Sequence, residues 1–458
     1  MILVFGYGCQ KNYPEQDGLL SGSDSQTGAV AVKGARAGNY MVITRSETLP
    51  SGLESQLSAY GQIVRTIPQI GMVVVKPTVS DFKARVSKLA QVQAVVPDFE
   101  AQWISPPDFV VQANPPSIGD NEPGFWLQWG LDAINAPEAW NAGCTGENAT
   151  VFILDSGIDR DHPDLAGNLD SDLSISLVPG NSSFDDDRGH GTHVAGIIAA
   201  ADNSGGVIGV APEARIVAVK VLNSSGSGAF SWINAGIIYA ADNGADVINM
   251  SLGALLKRSG FYSGSDWISP VDVASVFLAQ QRAVDYAYKK GSLVVTSAGN
   301  DGYSFDGSAS YFVMPGGLQK VITVSATAPE CWILNRLNNP FLDIPASYTN
   351  FGKSLIEVAA PGGDFDCDSP GSVNGYPVYA YDFVYSTYPG GYAWMAGTSM
   401  AAPHVAGVAA LVIGKNGGKM SPVDVTQKLL KTADKISGTG ITPYYGYGRV
   451  NAFRAVTE

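Results

Sequence analysis

The sequence predicts a doubly wound, mainly parallel α/β sheet sandwiched by helices, preceded by a small α+β unit of ferredoxin-like order. Two observations carry this. From residue 124 onward, near-continuous apolar runs alternate with helical stretches: ATVFILD, ARIVAVKVL, ADVINMSLG, GSLVVTSAGN and KVITVSAT. Runs of that kind suit strands covered on both faces, which in turn implies helices on both sides of a parallel sheet. Before residue 105 the pattern is shorter and reads strand, helix, strand, strand, helix, strand, the split βαβ order.

In the N-terminal part, YMVIT, QIVRTI, GMVVVK and VQAVVPDF are the strands. The first helix (SGLESQLSAYG) sets Leu53, Leu57 and Tyr60 on one side. The second (SDFKARVSKLA) does so with Phe82, Val86 and Leu89, with Ser80 as its candidate N-cap. A stretch rich in Pro and Asn follows, so the chain divides into an export segment and tether (1–38), an α+β domain (39–104), a linker with a processing region (105–123) and an α/β domain (124–458). In the last, the predicted helices are HGTHVAGIIAAA, AFSWINAGIIYAADNG and VDVASVFLAQQRAVDYAYKKG. Working groups in such folds gather at the carboxyl ends of the strands.

At 458 residues the chain is long for one core, and 53 glycines with 45% apolar residues fit a globular protein rich in tight turns. A net charge of −14 excludes nucleic acid as the main partner, because phosphate binding needs a basic face. It leaves carboxylates available for calcium, which takes oxygen ligands. No run reaches the ~20 apolar residues that span a bilayer. The opening MILVFGYGC resembles the tail of a lipoprotein signal, in which Cys9 would be acylated; without a basic start, and with Gly6 where Leu is usual, a truncated export signal is the alternative. Either way the protein is expected to be exported, secreted or held at the cell envelope. The Gly/Ser/Asp-rich stretch 16–34 reads as a tether. Of the four cysteines, Cys331 and Cys367 lie in loop-like inserts and are a candidate pair, and Cys144 is expected to be a buried thiol.

Four polar residues stand at element ends. Asp155 closes ATVFILD, where a carboxylate can be half buried, ionised and able to orient an imidazole; alone, it would be a turn residue. His190 opens a small-residue helix in RGHGTH. With His193 it could begin a metal site, but no HExxH pattern or cysteine cluster supports that, and a core role suits His193 better. Ser399, in GTSMAAPH, stands at a helix N-terminus, where its hydroxyl is free and backbone amides could bind an oxyanion. The motif is not GxSxG, since Ala401 replaces the second glycine, which counts against an α/β-hydrolase esterase. Asn300 ends VVTSAGN and could give the second oxyanion donor; its bland reading is a turn.

In this order ILDSGID, RGHGTHVAG, NMSLG, SAGN and GTSMAAPHVAG closely resemble the successive motifs of the subtilases, the subtilisin-like serine peptidases, over about 124–455. The α+β domain resembles the inhibitor I9-like subtilase propeptide, on weaker motifs. The resemblance implies a serine endopeptidase acting on protein or peptide substrates. Ser399 would be the nucleophile, His190 the general base and then acid, and Asp155 the residue that orients His190. Asn300 and the Ser399 amide would form the oxyanion hole. Ser251, Leu252 and Gly253 would pair with the substrate backbone, and Ser297, Ala298 and Gly299 would form the other wall of the specificity pocket, with Val313 near its base. A structural calcium would be held by Asp164, by the Asn203 side chain, by the carbonyls of Ala201, Gly205 and Val207, and by Glu122. No catalytic cofactor is expected. The chain would be a monomeric zymogen inhibited by its own propeptide and cut near 104–124. Stretches 254–271, 329–345 and 363–390 read as insertions near the cleft, bringing in Trp267 and Trp332. An inactive scaffold used for binding, and a hydrolase for esters or lipids, are the competing readings.

Overall fold

The computed structural model describes residues 38–104, 122–307, 310–337 and 341–458, together with the backbone of 109–112. The expected export segment, its Cys9 and the tether lie outside these residues, as does most of the linker.

The N-terminal unit is a four-stranded antiparallel sheet in the order Gly61–Ile67, Met72–Pro77, Tyr40–Thr44, Val92–Pro97, with helices Leu53–Ser58 and Phe82–Val86. Side chains alternate across a strand, so one sheet presents two apolar faces here. Val42, Val73, Val75 and Val95 pack on Leu53, Leu57, Phe82 and Val86. Met41, Ile43, Met72, Val74 and Val96 point the other way and join the core of the larger domain. They meet it beside helices Phe230–Asp242 and Pro270–Lys290, where Arg282 donates to the Thr44 carbonyl and Lys83 pairs with Asp272 at 3.2 Å. The second helix starts one residue later than Ser80 would place it. Asp81 is the N-cap residue, and its carboxylate binds Arg85 rather than capping an amide.

The larger domain is built on an eight-stranded sheet. Its order is Ile344–Pro345, Val321–Ala328, Leu293–Ser297, Val247–Met250, Thr150–Asp155, Arg215–Lys220, Ile175–Ser176, with Val358–Pro361 also pairing Val321–Ala328. All neighbours run parallel except Ile344–Pro345. The apolar runs split by parity, as burial on two faces requires. Val151 and Ile153 face helices His190–Ala199 and Thr398–Lys415, whereas Phe152 and Leu154 face Phe230–Asp242 and Pro270–Lys290. Thr150–Asp155 lies between Arg215–Lys220 on one side and Val247–Met250 on the other, both later in the chain and both parallel to it, so the winding of the sheet reverses there. Asp155 therefore ends at a topological switch point, where such sheets open a crevice.

The stretches read as insertions form local structure at that edge. In 254–271, Ala254–Lys257 pairs with Tyr311–Met314, and a hairpin pairs Phe261–Ser263 with Asp266–Ile268. Trp332 opens a short helix and is buried, whereas Trp267 is 47% exposed and packs on its hairpin partner Tyr262, ring centroids 4.9 Å apart. Cys331 and Cys367 form a disulfide, and Cys144 is a buried free thiol. Val384–Tyr388 and Gly391–Met395 form a hairpin to which the linker backbone 109–112 adds a third antiparallel strand. Among the described residues no helix is long and apolar enough to cross a membrane.

Candidate active site

Three element ends converge on one cleft. Asp155 is fully buried at the end of its strand, and its carboxylate receives the Ser156 amide at 2.7 Å. His190 begins the helix His190–Ala199, and its Nδ1 lies 2.8 Å from Asp155 Oδ1 and 3.0 Å from Oδ2. With Nδ1–H donating to the carboxylate, Nε2 is the nitrogen left to take a proton. Ser399 sits in the first turn of Thr398–Lys415, an 18-residue helix, and His190 and Ser399 line the same cleft of about 300 Å³. Its Oγ donates to the Ser251 carbonyl at 3.1 Å, so engagement of His190 needs a rotation about the Ser399 Cα–Cβ bond, a looseness common before substrate binds.

Asn300 is pinned from behind. Its Oδ1 accepts from the Thr398 amide at 2.9 Å and the Thr398 hydroxyl at 2.7 Å, and that hydroxyl accepts from the Gly299 amide. Both acceptor interactions fall on the oxygen, which turns Nδ2 toward the cleft beside Ser399. The two expected walls face one another: Ser297 Oγ donates to the Leu252 carbonyl, and Gly253, Ala298, Gly299 and Val313 line the opening.

The second histidine of the motif stands apart. His193 is fully buried, with Nε2 at 3.1 Å from the Ala393 carbonyl and 3.2 Å from that of Val384; burial pushes its pKa down to about 3. It is a neutral core histidine, and the two histidines form no metal pair.

Sequence reasoning missed Asp186. This carboxylate accepts from the amides of Arg188, Gly189 and Thr192, from the Thr192 hydroxyl and from Ser156 Oγ, all between 2.7 and 3.0 Å. It therefore ties the start of the His190 helix to the residue after Asp155. The signal was an acidic residue just ahead of the helix, where orphan amides collect.

One side of the cleft is lined by the chain's own segment at Gln102, Trp103 and Ile104. Glu100–Gln102 pairs antiparallel with Ser227–Ala229, the Trp103 amide donates to the Gly226 carbonyl, and the Gly253 amide donates to the Trp103 carbonyl at 2.9 Å. Ile104 then lies against the cleft that His190 and Ser399 line.

Of the expected calcium ligands, the side chains of Asp164, Glu122 and Asn203 meet at the loop 203–207. Asp164 is fully buried and takes the Val207 amide at 2.9 Å; Glu122, 3% exposed, takes those of Asn203 and Ser204. Neither carboxylate has a Lys or Arg partner among the described residues, and burial, with Asp202 nearby, raises the Glu122 carboxyl. Asn203 Oδ1 and Asp164 Oδ1 stand 2.3 and 2.7 Å from where a Cβ on Gly205 would sit, so a side chain there would fill the space between them. Two buried carboxylates that accept only uncharged donors, around a small-residue loop, fit a hard cation.

Comparison with known proteins gives a consistent result. A model of the subtilase family, peptidase S8, matches residues 146–448. Thermitase from Thermoactinomyces vulgaris is 38% identical over 339 residues, which are 73% of this chain and 98% of thermitase. Subtilisin Savinase from Lederbergia lenta is 41% identical over 327 residues, 71% of this chain and 97% of that one. Among solved structures, the epidermin leader peptide processing serine protease from Staphylococcus aureus aligns with a TM-score of 0.71 at 23% identity. That alignment covers 91% of this chain and 97% of the other, a larger share than the family match, and shows a shared fold.

Proposed function

The chain belongs to the subtilase family of serine endopeptidases, and on that premise we propose that it is a self-processing zymogen with Asp155, His190 and Ser399 as its catalytic triad. In this reading Ser399 Oγ attacks the carbonyl of an extended peptide and His190 Nε2 takes its proton. Asp155 holds Nδ1–H and stabilises the imidazolium, and His190 then protonates the leaving amine. Asn300 Nδ2 and the Ser399 amide hold the oxyanion, a contribution of roughly 3 kcal/mol per donor. Residues 251–253 present backbone to the substrate as a neighbouring strand would, with 297–299 opposite.

The observation that carries the zymogen reading is the chain's own segment Glu100–Ile104, laid in the cleft by strand pairing to Ser227–Ala229. The N-terminal unit, bounded at about residues 39 and 104, would act as an intramolecular inhibitor, with the cut falling between 104 and 124. A calcium ion held by Asp164, Asn203, Glu122 and the carbonyls of Ala201, Gly205 and Val207 would stabilise the fold without entering the reaction. Export fits the family premise and the N-terminal apolar stretch. Intact masses of wild-type and Ser399→Ala precursor, followed over time with and without calcium, test the proposal. A cut in wild type alone is expected; normal processing of isolated Ser399→Ala would refute self-cleavage.

A further inference from the structure

Next to the cleft, the hairpin inside 254–271 meets the segment that leads into Ile104. Phe261, on the first strand of that hairpin, and Phe230, the first residue of helix Phe230–Asp242, pack on one and the same ring. That ring is Phe99, fully buried, with its centroid 5.2 Å from Phe230 and 5.7 Å from Phe261, the latter edge-on at 80°. Trp103 also packs on Phe230, ring centroids 4.7 Å apart, and its Nε1 donates to the Gly228 carbonyl.

What puts Phe99 there is backbone. The pairing of Glu100–Gln102 with Ser227–Ala229 fixes the register from Ile104, at the cleft that Ser399 also lines, back to Phe99 five residues earlier. Main-chain hydrogen bonds do not read side chains, so another extended chain in the same register carries its own residue to the same place. The receiving pair is held firmly. The hairpin is tied to the domain through Ala254–Lys257 on Tyr311–Met314 and through Ile268, which is fully buried. Phe230 is fully buried, and both Phe99 and Trp103 are packed against it.

We infer that Phe230 and Phe261 form a remote substrate subsite, which in the processed enzyme takes an aromatic side chain five residues before the one occupying the place of Ile104. The inference rests on the reading that Glu100–Ile104 lies as a substrate does. It makes the enzyme selective for long, extended protein segments over short peptides, because the subsite is reached only by a chain spanning the whole strand pairing. An edge-to-face pair adds to the burial of a ring, and together these favour an aromatic over alanine by about ten-fold.

The test uses the full chain after its own processing and two internally quenched peptides that carry the sequence 98–104 ahead of a common cleavable segment. One has Phe and the other Ala at the position of Phe99. The ratio of their kcat/KM values is internal to each enzyme, so a variant with a smaller active fraction still reports it. The expected ratio is about ten in wild type, carried mainly by KM, about two or less in Phe261→Ala, and near the wild-type value in Phe261→Tyr. A ratio near one in wild type, or one unchanged in Phe261→Ala, overturns the subsite while leaving the peptidase reading intact. Failure of wild type to cut either peptide overturns the peptidase reading, and the subsite with it.

Discussion

Asp98 makes the hold of the N-terminal unit on the larger domain depend on pH, with a sign that can be worked out. It is buried at the contact; its Oδ2 accepts from Ser231 Oγ at 2.6 Å, and its Oδ1 is buried with no hydrogen-bond partner. Burial pushes the carboxyl up to about 6, with the Ser231 hydrogen bonds and the Arg65 charge pulling it back and Glu100 pushing it further. In the released unit Asp98 faces water and returns to about 3.9. The docked form therefore binds the proton more tightly. Docking is strongest below pH ~4, weakens as pH rises through about 6, and is flat above that. A shift of about two units corresponds to roughly 3 kcal/mol, or about 100-fold in affinity. Asp98→Asn keeps an acceptor for Ser231 and never ionises, so it should abolish the slope between pH 4 and 6 and hold tighter by up to about 100-fold at pH 7.5. The assay is inhibition of the processed enzyme by separately supplied residues 38–104, wild type and variant, at fixed ionic strength. Parallel pH profiles for the two, or wild-type inhibition that weakens on acidification, would refute the reasoning.

Other consequences are as direct. Asn300→Ala should lower kcat by about 10²–10³ with little change in KM, since its amide is directed at charge that appears only in the transition state; an equal loss in KM would mean that Asn300 binds substrate instead. Chelation, or Asp164→Ala, should lower the melting temperature of the processed enzyme, because an ion at 100 times its Kd adds about 2.7 kcal/mol to stability. An unchanged melting temperature in both cases would remove calcium from the loop. Asp186→Ala should lower kcat by about 10²-fold through misplacement of His190, with Asp186→Asn recovering part of it. Loss confined to thermal stability would reduce Asp186 to a helix cap, worth ~1 kcal/mol.

Much of this was written in local pattern. Runs such as TVFILD announce a strand covered twice, and the end of each strand or start of each helix is where Asp155, His190, Asn300 and Ser399 stand. What the pattern could not give was the meeting of Asp155 with His190, 35 residues apart, which depends on how the sheet winds. The second apolar face of the N-terminal sheet was also present, in MVVV and YMVIT, yet parity alone does not say what covers it. The strand at 109–112 lay inside a stretch read as linker. Its FVVQ is strand-like, but its partner is the backbone of a distant hairpin, and backbone leaves no mark in sequence. The Phe99–Phe261 contact was invisible for the same reason.

The strand at 109–112 has one further consequence. Glu100–Gln102 is held on Ser227–Ala229 and 109–112 on Gly391–Met395, the strand that leads toward Ser399. A bond broken between residues 104 and 109 would leave both new ends clamped within a few residues of each other. The freed amine would then face the acyl-enzyme at an effective concentration far above that of any solute. Rejoining by aminolysis would compete with hydrolysis until one flank peeled away. Scission would be reversible, and the irreversible step in maturation would be the departure of a strand.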